Sequence, residues 1–185
     1  MVFSKLFGQK QKIDINTIYK HIDFVIEYCI GSTALYESLK GIEVKKDLNY
    51  ERVLIAFTFG LVDVYSAING VRELNQAEQD KHEIDMTKFC IIQIRKKMIK
   101  YSHEQNNNLS ESDLLAAIEQ IPSNQKILDG NMEWFMKTYK EIKFRDISNT
   151  GFEYGKEFNN AGGNVMGTKL AFVFPKMLAE EKIVL

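Results

Sequence analysis

Proline is nearly missing from this sequence, with Pro122 and Pro175 the only two in 185 residues. Because proline breaks helix interiors and central strands alike, long uninterrupted elements are permitted. Cysteine is equally scarce. Cys29 and Cys90 each fall inside an apolar helical pattern, which argues against a disulfide-stapled secreted scaffold and predicts two reduced core thiols. An excess of charge is also lacking, since 24 basic side chains face 25 acidic ones. The global field of a nucleic-acid packager is therefore absent. No apolar run reaches the roughly 18 residues of a membrane span. The longest, residues 53–62, lies between Arg52 and Asp63 and includes Thr58 and Gly60. Residues 1–12 lack the apolar core of a secretory signal and read as a flexible or amphipathic tail, so a soluble, cytoplasmic protein is expected. Lysine outnumbers arginine 20 to 4, beside 20 isoleucines and 13 asparagines, the residue usage of AT-rich bacterial and phage genomes.

What is present is ample apolar material at helical spacing. Hydrophobic residues make up 45% of the chain and include 12 Phe and 8 Tyr, enough for one core of ordinary size. Apolar positions recur at three and four far more often than they alternate. The pattern predicts a single all-α domain over residues 13–185, a bundle of about five to seven helices. The first helix is expected to start near Asp14 or Asn16 and to stop at Gly41. The second, at about residues 50–69, is apolar all round and should lie at the centre. Asp80 with Glu83 reads as a capping pair opening a third helix that continues to Tyr101. Ser110 with Asp113 opens a short helix that Pro122 ends, and a further helix is expected from Asn131 to Lys143, burying Phe135 and Met136. Five of the 11 glycines fall between Gly151 and Gly167. At about 1 kcal/mol per interior glycine, this predicts an irregular segment over residues 146–185.

Two constellations carry chemical interest. The third helix bears Lys88, Arg95, Lys96, Lys97 and Lys100 with no acid between Met86 and Tyr101. Such a basic face suits phosphates, an anionic surface or an acidic protein partner, or else it is a solvated face neutralised by acids elsewhere. Asp63 stands in the otherwise apolar second helix, which predicts a buried carboxylate that needs a partner. Ala56, Gly60 and Ala67 share its side and leave a groove that another helix or a ligand can enter. His21 and His82 are the histidines that could add polar groups to such a pocket.

Catalytic signatures are missing. His82-Glu83 has Met86 where the second histidine of a zinc-protease motif belongs, and no Glu-x-x-His occurs. Gly162 to Lys169 has the glycine spacing of a phosphate loop with its final Thr and Lys reversed and only 16 residues to follow. No serine has a Gly-x-Ser-x-Gly context. No metal and no cofactor is expected. The reading that follows is a non-enzymatic protein-binding module, an adaptor, regulator or inhibitor of the immunity or antitoxin kind, acting by surface complementarity with another protein. Self-association stays open and nucleic acid is disfavoured. The alternative is a helical-bundle enzyme or small-ligand-binding protein with a pocket around Asp63, and a third reading is phosphate binding through the basic helix.

Overall fold

A computed structural model describes residues 15–68, 74–102, 109–160, 174 and 176–178. Six helices are found among them: α1 (Ile15–Lys40), α2 (Leu48–Ile68), α3 (Gln76–Ser102), α4 (Glu111–Gln120), α5 (Pro122–Thr138) and α6 (Ile142–Asn160). The fold is an all-α bundle. Phe174 and residues 176–178 are helical as well. The tail at residues 1–12, the Asn69-Gly70 helix end, the loop at 104–108 and the glycines at 162, 163 and 167 lie outside the described residues.

Local chemistry sets most boundaries. Gly41, at φ 61°, takes the left-handed conformation that ends α1, and the Ile42 N–H returns to the Glu37 carbonyl. Asp47 caps α2 by accepting from the backbone N–H groups of Asn49 and Tyr50. Ser110 and Asp113 form the expected reciprocal capping box of α4. Pro122 ends α4 but also opens α5, occupying the first turn, where its missing N–H costs nothing.

Three expectations are corrected. Helix α3 begins four residues before Asp80, because Asn75 and Glu78 form its capping pair: Asn75 Oδ1 accepts from the Glu78 N–H, and the Glu78 carboxylate accepts from the Asn75 N–H. The helix expected from Asn131 to Lys143 is divided, since α5 starts at Pro122 and ends at Thr138; Met136 is exposed, whereas Phe135 is buried. The segment expected to be irregular from residue 146 is a regular helix as far as Asn160.

That last correction has a packing cause. Helix α2 is the most buried element, with Val53, Leu54, Ile55, Ala56 and Phe57 almost inaccessible, and its most extensive neighbour is α6, with α3 and α1 on other sides. The α2–α6 contact is made backbone to backbone. A Cβ on Gly60 would overlap the Ser148 carbonyl, one on Gly151 would overlap the Phe57 carbonyl, and one on Gly155 would strike Val64 and the Leu61 carbonyl. Gly151 and Gly155, four apart, lie on one ridge of α6. The propensity cost of two interior glycines is offset by the close approach that they allow. Cys29 and Cys90 are buried free thiols.

A polar network ties the other side of α2 to α3 and α5. Glu51, 3% exposed, accepts from Arg95 at 2.5 Å and from the Asn131 amide at 3.0 Å. Arg95 also donates to Asn124, whose amide donates to the Ala117 carbonyl at the end of α4. Burial pushes the Glu51 carboxyl up, against the pull of Arg95 and Asn131.

Gly151→Ala and Gly155→Ala should each lower unfolding free energy in urea by more than about 3 kcal/mol, the range of overpacked cores and displaced backbones. Gly130→Ala in α5, where a Cβ meets nothing within 4 Å, should raise it by about 0.5–1 kcal/mol. For the network, Glu51→Ala should cost about 3–5 kcal/mol by leaving Arg95 uncompensated, and adding Arg95→Met should recover part of the loss. A double-mutant cycle in urea reads the coupling.

Candidate functional site

Two of the residues that stand out by sequence, Asp63 and His82, are brought together at a cleft between the C-terminal half of α2 and the N-terminal half of α3. Its volume is about 130 Å³. The floor and walls are apolar: Ile55, Phe59, Val62, Ala67, Met86 and Cys90. The polar lining consists of Asp63 and Ser66 from α2 and Gln79, His82, Glu83 and Thr87 from α3. Among the described lining residues there is no lysine or arginine.

Helical spacing explains the convergence. Asp63, Ser66 and Ala67 are three and four apart, and Gln79, His82, Glu83 and Met86 follow the same rule, so each helix offers one stripe to the gap. His82 Nε2 lies 3.2 Å from Ser66 Oγ and bridges the two helices. Thr87 Oγ1 donates to the Glu83 carbonyl. Burial shifts His82, Glu83 and Cys90 in one direction, against their charged forms. It lowers the His82 pKa, with Asp85 pulling weakly the other way. It raises that of Glu83, and the neighbouring charges of Asp63 and Asp80 raise it further. It pushes the Cys90 thiol up to about 12, which leaves no nucleophilic thiolate at neutral pH.

Asp63 is the principal correction among the site residues. It is exposed at the mouth of the cleft, not buried in the core. The groove predicted beside it is real but divided: Gly60 faces α6, which fills that side, and Ala67 faces the cleft. His21 is not among the lining residues; on α1, its Nδ1 pairs with the Tyr65 hydroxyl at 2.5 Å. Glu83, Gln79 and Ser66 were not anticipated as site residues. A start of α3 at Asp80 leaves Gln79 outside the helix and makes Glu83 a cap, whereas Ser66 is a small polar residue on α2 with no sequence signal of its own.

The basic residues of α3 do not form one open face. Arg95 is turned to Glu51, and Lys96, only 4% exposed, pairs with Glu111. Lys97 bonds Glu27 at 2.6 Å and Asp23 at 3.3 Å. Lys88 is exposed. Lys96, Lys97 and Lys100 line a second cleft of about 400 Å³ together with Lys20, where Asp23 and Glu111 supply opposing charge.

Among the described residues no group of three or more His, Cys, Asp or Glu is placed to hold a metal ion, and no helix is long and apolar enough to cross a membrane. No protein-family model, no curated protein and no solved structure matches this chain.

The histidine environment sets a pH dependence. A base whose folded pKa lies below its unfolded value of 6.5 contributes stability above about pH 6.5, which is lost as pH falls and the unfolded chain takes up the proton first. His82→Gln should therefore show a smaller gain in unfolding free energy than the parent chain between about pH 5 and pH 7. Urea titrations at several pH values measure the difference; Glu51 and Glu83, whose raised pKa values act in the opposite sense, are common to both proteins.

Proposed function

We propose that this chain is a small-ligand-binding helical domain that seats a compact, largely apolar molecule with a cationic or hydrogen-bond-donating head in the α2–α3 cleft. The observation that carries this reading is the lining itself. An apolar floor with a few convergent polar groups is the usual composition of a ligand pocket. Here the polar rim includes two carboxylates and a histidine that burial keeps neutral, with no basic side chain among the described lining residues. The acceptors outnumber the donors, which favours an ammonium or amide head over an anion. Binding is favoured over catalysis because Cys90 is held as a thiol and, among the described residues, no carboxylate is hydrogen-bonded to the imidazole of the Ser66–His82 pair.

The protein-binding reading keeps one specific observation in its favour, the row of exposed apolar side chains on α1. The basic helix supports it less, since Arg95, Lys96 and Lys97 already have acidic partners within the chain.

In a screen of compact alkyl and aryl ammonium compounds against matched carboxylates, ligand-observed NMR should report binding from the ammonium set. Glu83→Gln should weaken it by about tenfold, roughly 1.4 kcal/mol, and Met86→Trp, which fills the floor, should abolish it while thermal unfolding stays cooperative. Equal binding of both sets, or an unchanged affinity in Glu83→Gln, removes the assignment.

A further inference from the structure

The outer face of α1 carries a row of exposed apolar side chains that the cleft does not use. On the inner side, Ile18, Ile22, Val25, Ile26, Cys29 and Ile30 fill the core. On the opposite side, Phe24 is 51% exposed, Leu35 51% and Leu39 61%. Tyr28 is half-buried beside Phe24, and Ala34 and Ser38 are exposed. Gly31 lies at the middle of this row, and a Cβ built on it would meet nothing within 4 Å.

We propose that this face is a self-association surface, on which a second copy of the chain packs α1 against α1, antiparallel, about a two-fold axis near Gly31. Three observations select a second copy as the occupant. The first is shape. Phe24, Glu27, Tyr28 and Gly31 stand at i, i+3, i+4 and i+7, the four corners of a hole for an incoming side chain. Leu35 lies as far beyond the axis as the centre of that hole lies before it. A two-fold rotation therefore drops Leu35 of each copy into the hole of the other, as an isologous interface requires. The glycine at the axis lets the two helices approach closely.

The second is charge. Between Phe24 and Leu39 the outward row carries one ionisable side chain, Glu27, and Lys97 already bonds it from within the chain and holds its carboxyl below the usual range. Exposed Lys20 lies at one end of the row and exposed Glu43 just past the other. Antiparallel pairing brings Lys20 of one copy to Glu43 of the other at both ends. A bilayer, by contrast, selects an apolar stripe flanked by several cations.

The third is area. The row from Phe24 to Leu39 is about 22 Å long at 1.5 Å per residue and about 10 Å wide. With its projecting side chains it covers on the order of 400–500 Å² per copy, below the roughly 600 Å² per partner at which stable specific interfaces begin and in the range of weak, transient pairing. The expected association is thus weak and concentration-dependent.

Sedimentation velocity of the full chain from about 5 to 500 μM should show the mean mass rising from monomer toward dimer. Leu35→Glu, which puts a charge into the opposing hole at an exposed position, should raise the dissociation constant at least tenfold and leave the circular dichroism spectrum unchanged. Gly31→Cys should form a symmetric disulfide-linked dimer under mild oxidation, because the axis brings the two new thiols together while Cys29 and Cys90 stay buried. Lys140→Cys, at an exposed position away from α1, should not crosslink. A monomer at every concentration overturns the proposal, and so does a Leu35→Glu chain that dimerises like the parent. A dimer in which Gly31→Cys fails to crosslink overturns the two-fold geometry. Co-sedimentation of a monomeric chain with phosphatidylcholine–phosphatidylserine vesicles would assign the face to a bilayer instead.

Discussion

Helix α2 carries inaccessible apolar side chains on successive positions from Val53 to Phe57, and the rest of the bundle is arranged to hide them. A run of that kind covers more than one side of a helix, so several sides must each meet another element. The most demanding side is the one toward α6. There the helices touch backbone to backbone through Gly60, Gly151 and Gly155. Contact at that separation adds dispersion over the main chain as well as the side chains, and it tolerates no added methyl group. Phe135 and Phe144 then pack against Phe59, with Trp134 on Phe144, and Phe174 returns from beyond α6 to pack against Phe57 and Tyr50.

The same glycines explain where sequence reading succeeded and where it failed. The period of three and four in α1 and α2 is carried by Ile, Val and Leu at every turn, and both helices, their core faces and the Gly41 stop were legible from it. The Ser110–Asp113 cap was legible because it satisfies two backbone donors by local chemistry alone. Helix α6 was not, since interior glycine disfavours a helix locally and the compensating contact lies about ninety residues away in α2, where no local window reaches. The start of α3 was missed because two capping pairs compete in one stretch, and Asn75 with Glu78 prevails over Asp80 with Glu83. At the candidate site, Asp63 and His82 were legible as unusual polar residues on helices, but Gln79 and Glu83 depended on that misplaced start and Ser66 only on the approach of α3 to α2.

The charged residues of α3 show how composition can mislead about surfaces. Four or five cations on one helix with no neighbouring acid look like an outward electrostatic patch. In the folded chain they are spent on different neighbours: Arg95 on α2, Lys97 on α1 and Lys96 on α4. A long side chain reaches several ångströms beyond its own face, so the angular position of Cα does not fix where the charge ends up. The acids that receive them sit on three other helices, and their pairing is a property of the bundle alone. The half-exposed acids Asp23 and Glu27 leave the Lys97 pairs open to screening by water, whereas the enclosed Glu51–Arg95 pair fixes how α2 and α3 lie against each other.

That enclosed pair also bears on the cleft. Helices α2 and α3 run antiparallel, and the polar ties between them include Glu51 to Arg95 at one end and Ser66 to His82 at the other. The first is buried, charged and braced by Asn124 and Asn131; the second is a single hydrogen bond between neutral groups. The helices are therefore held firmly at the end where α5 joins them and lightly at the end where the cleft opens. On the far side of α2, the glycine contact with α6 prevents the helix from shifting to fill the gap. A cleft bounded by one rigid wall and one lightly tied wall can widen by small movements of the first turns of α3 without disturbing the core. The unequal strength of the two ties makes the N-terminal half of α3 the element that would adapt to an occupant, and α2 the fixed template against which it is held.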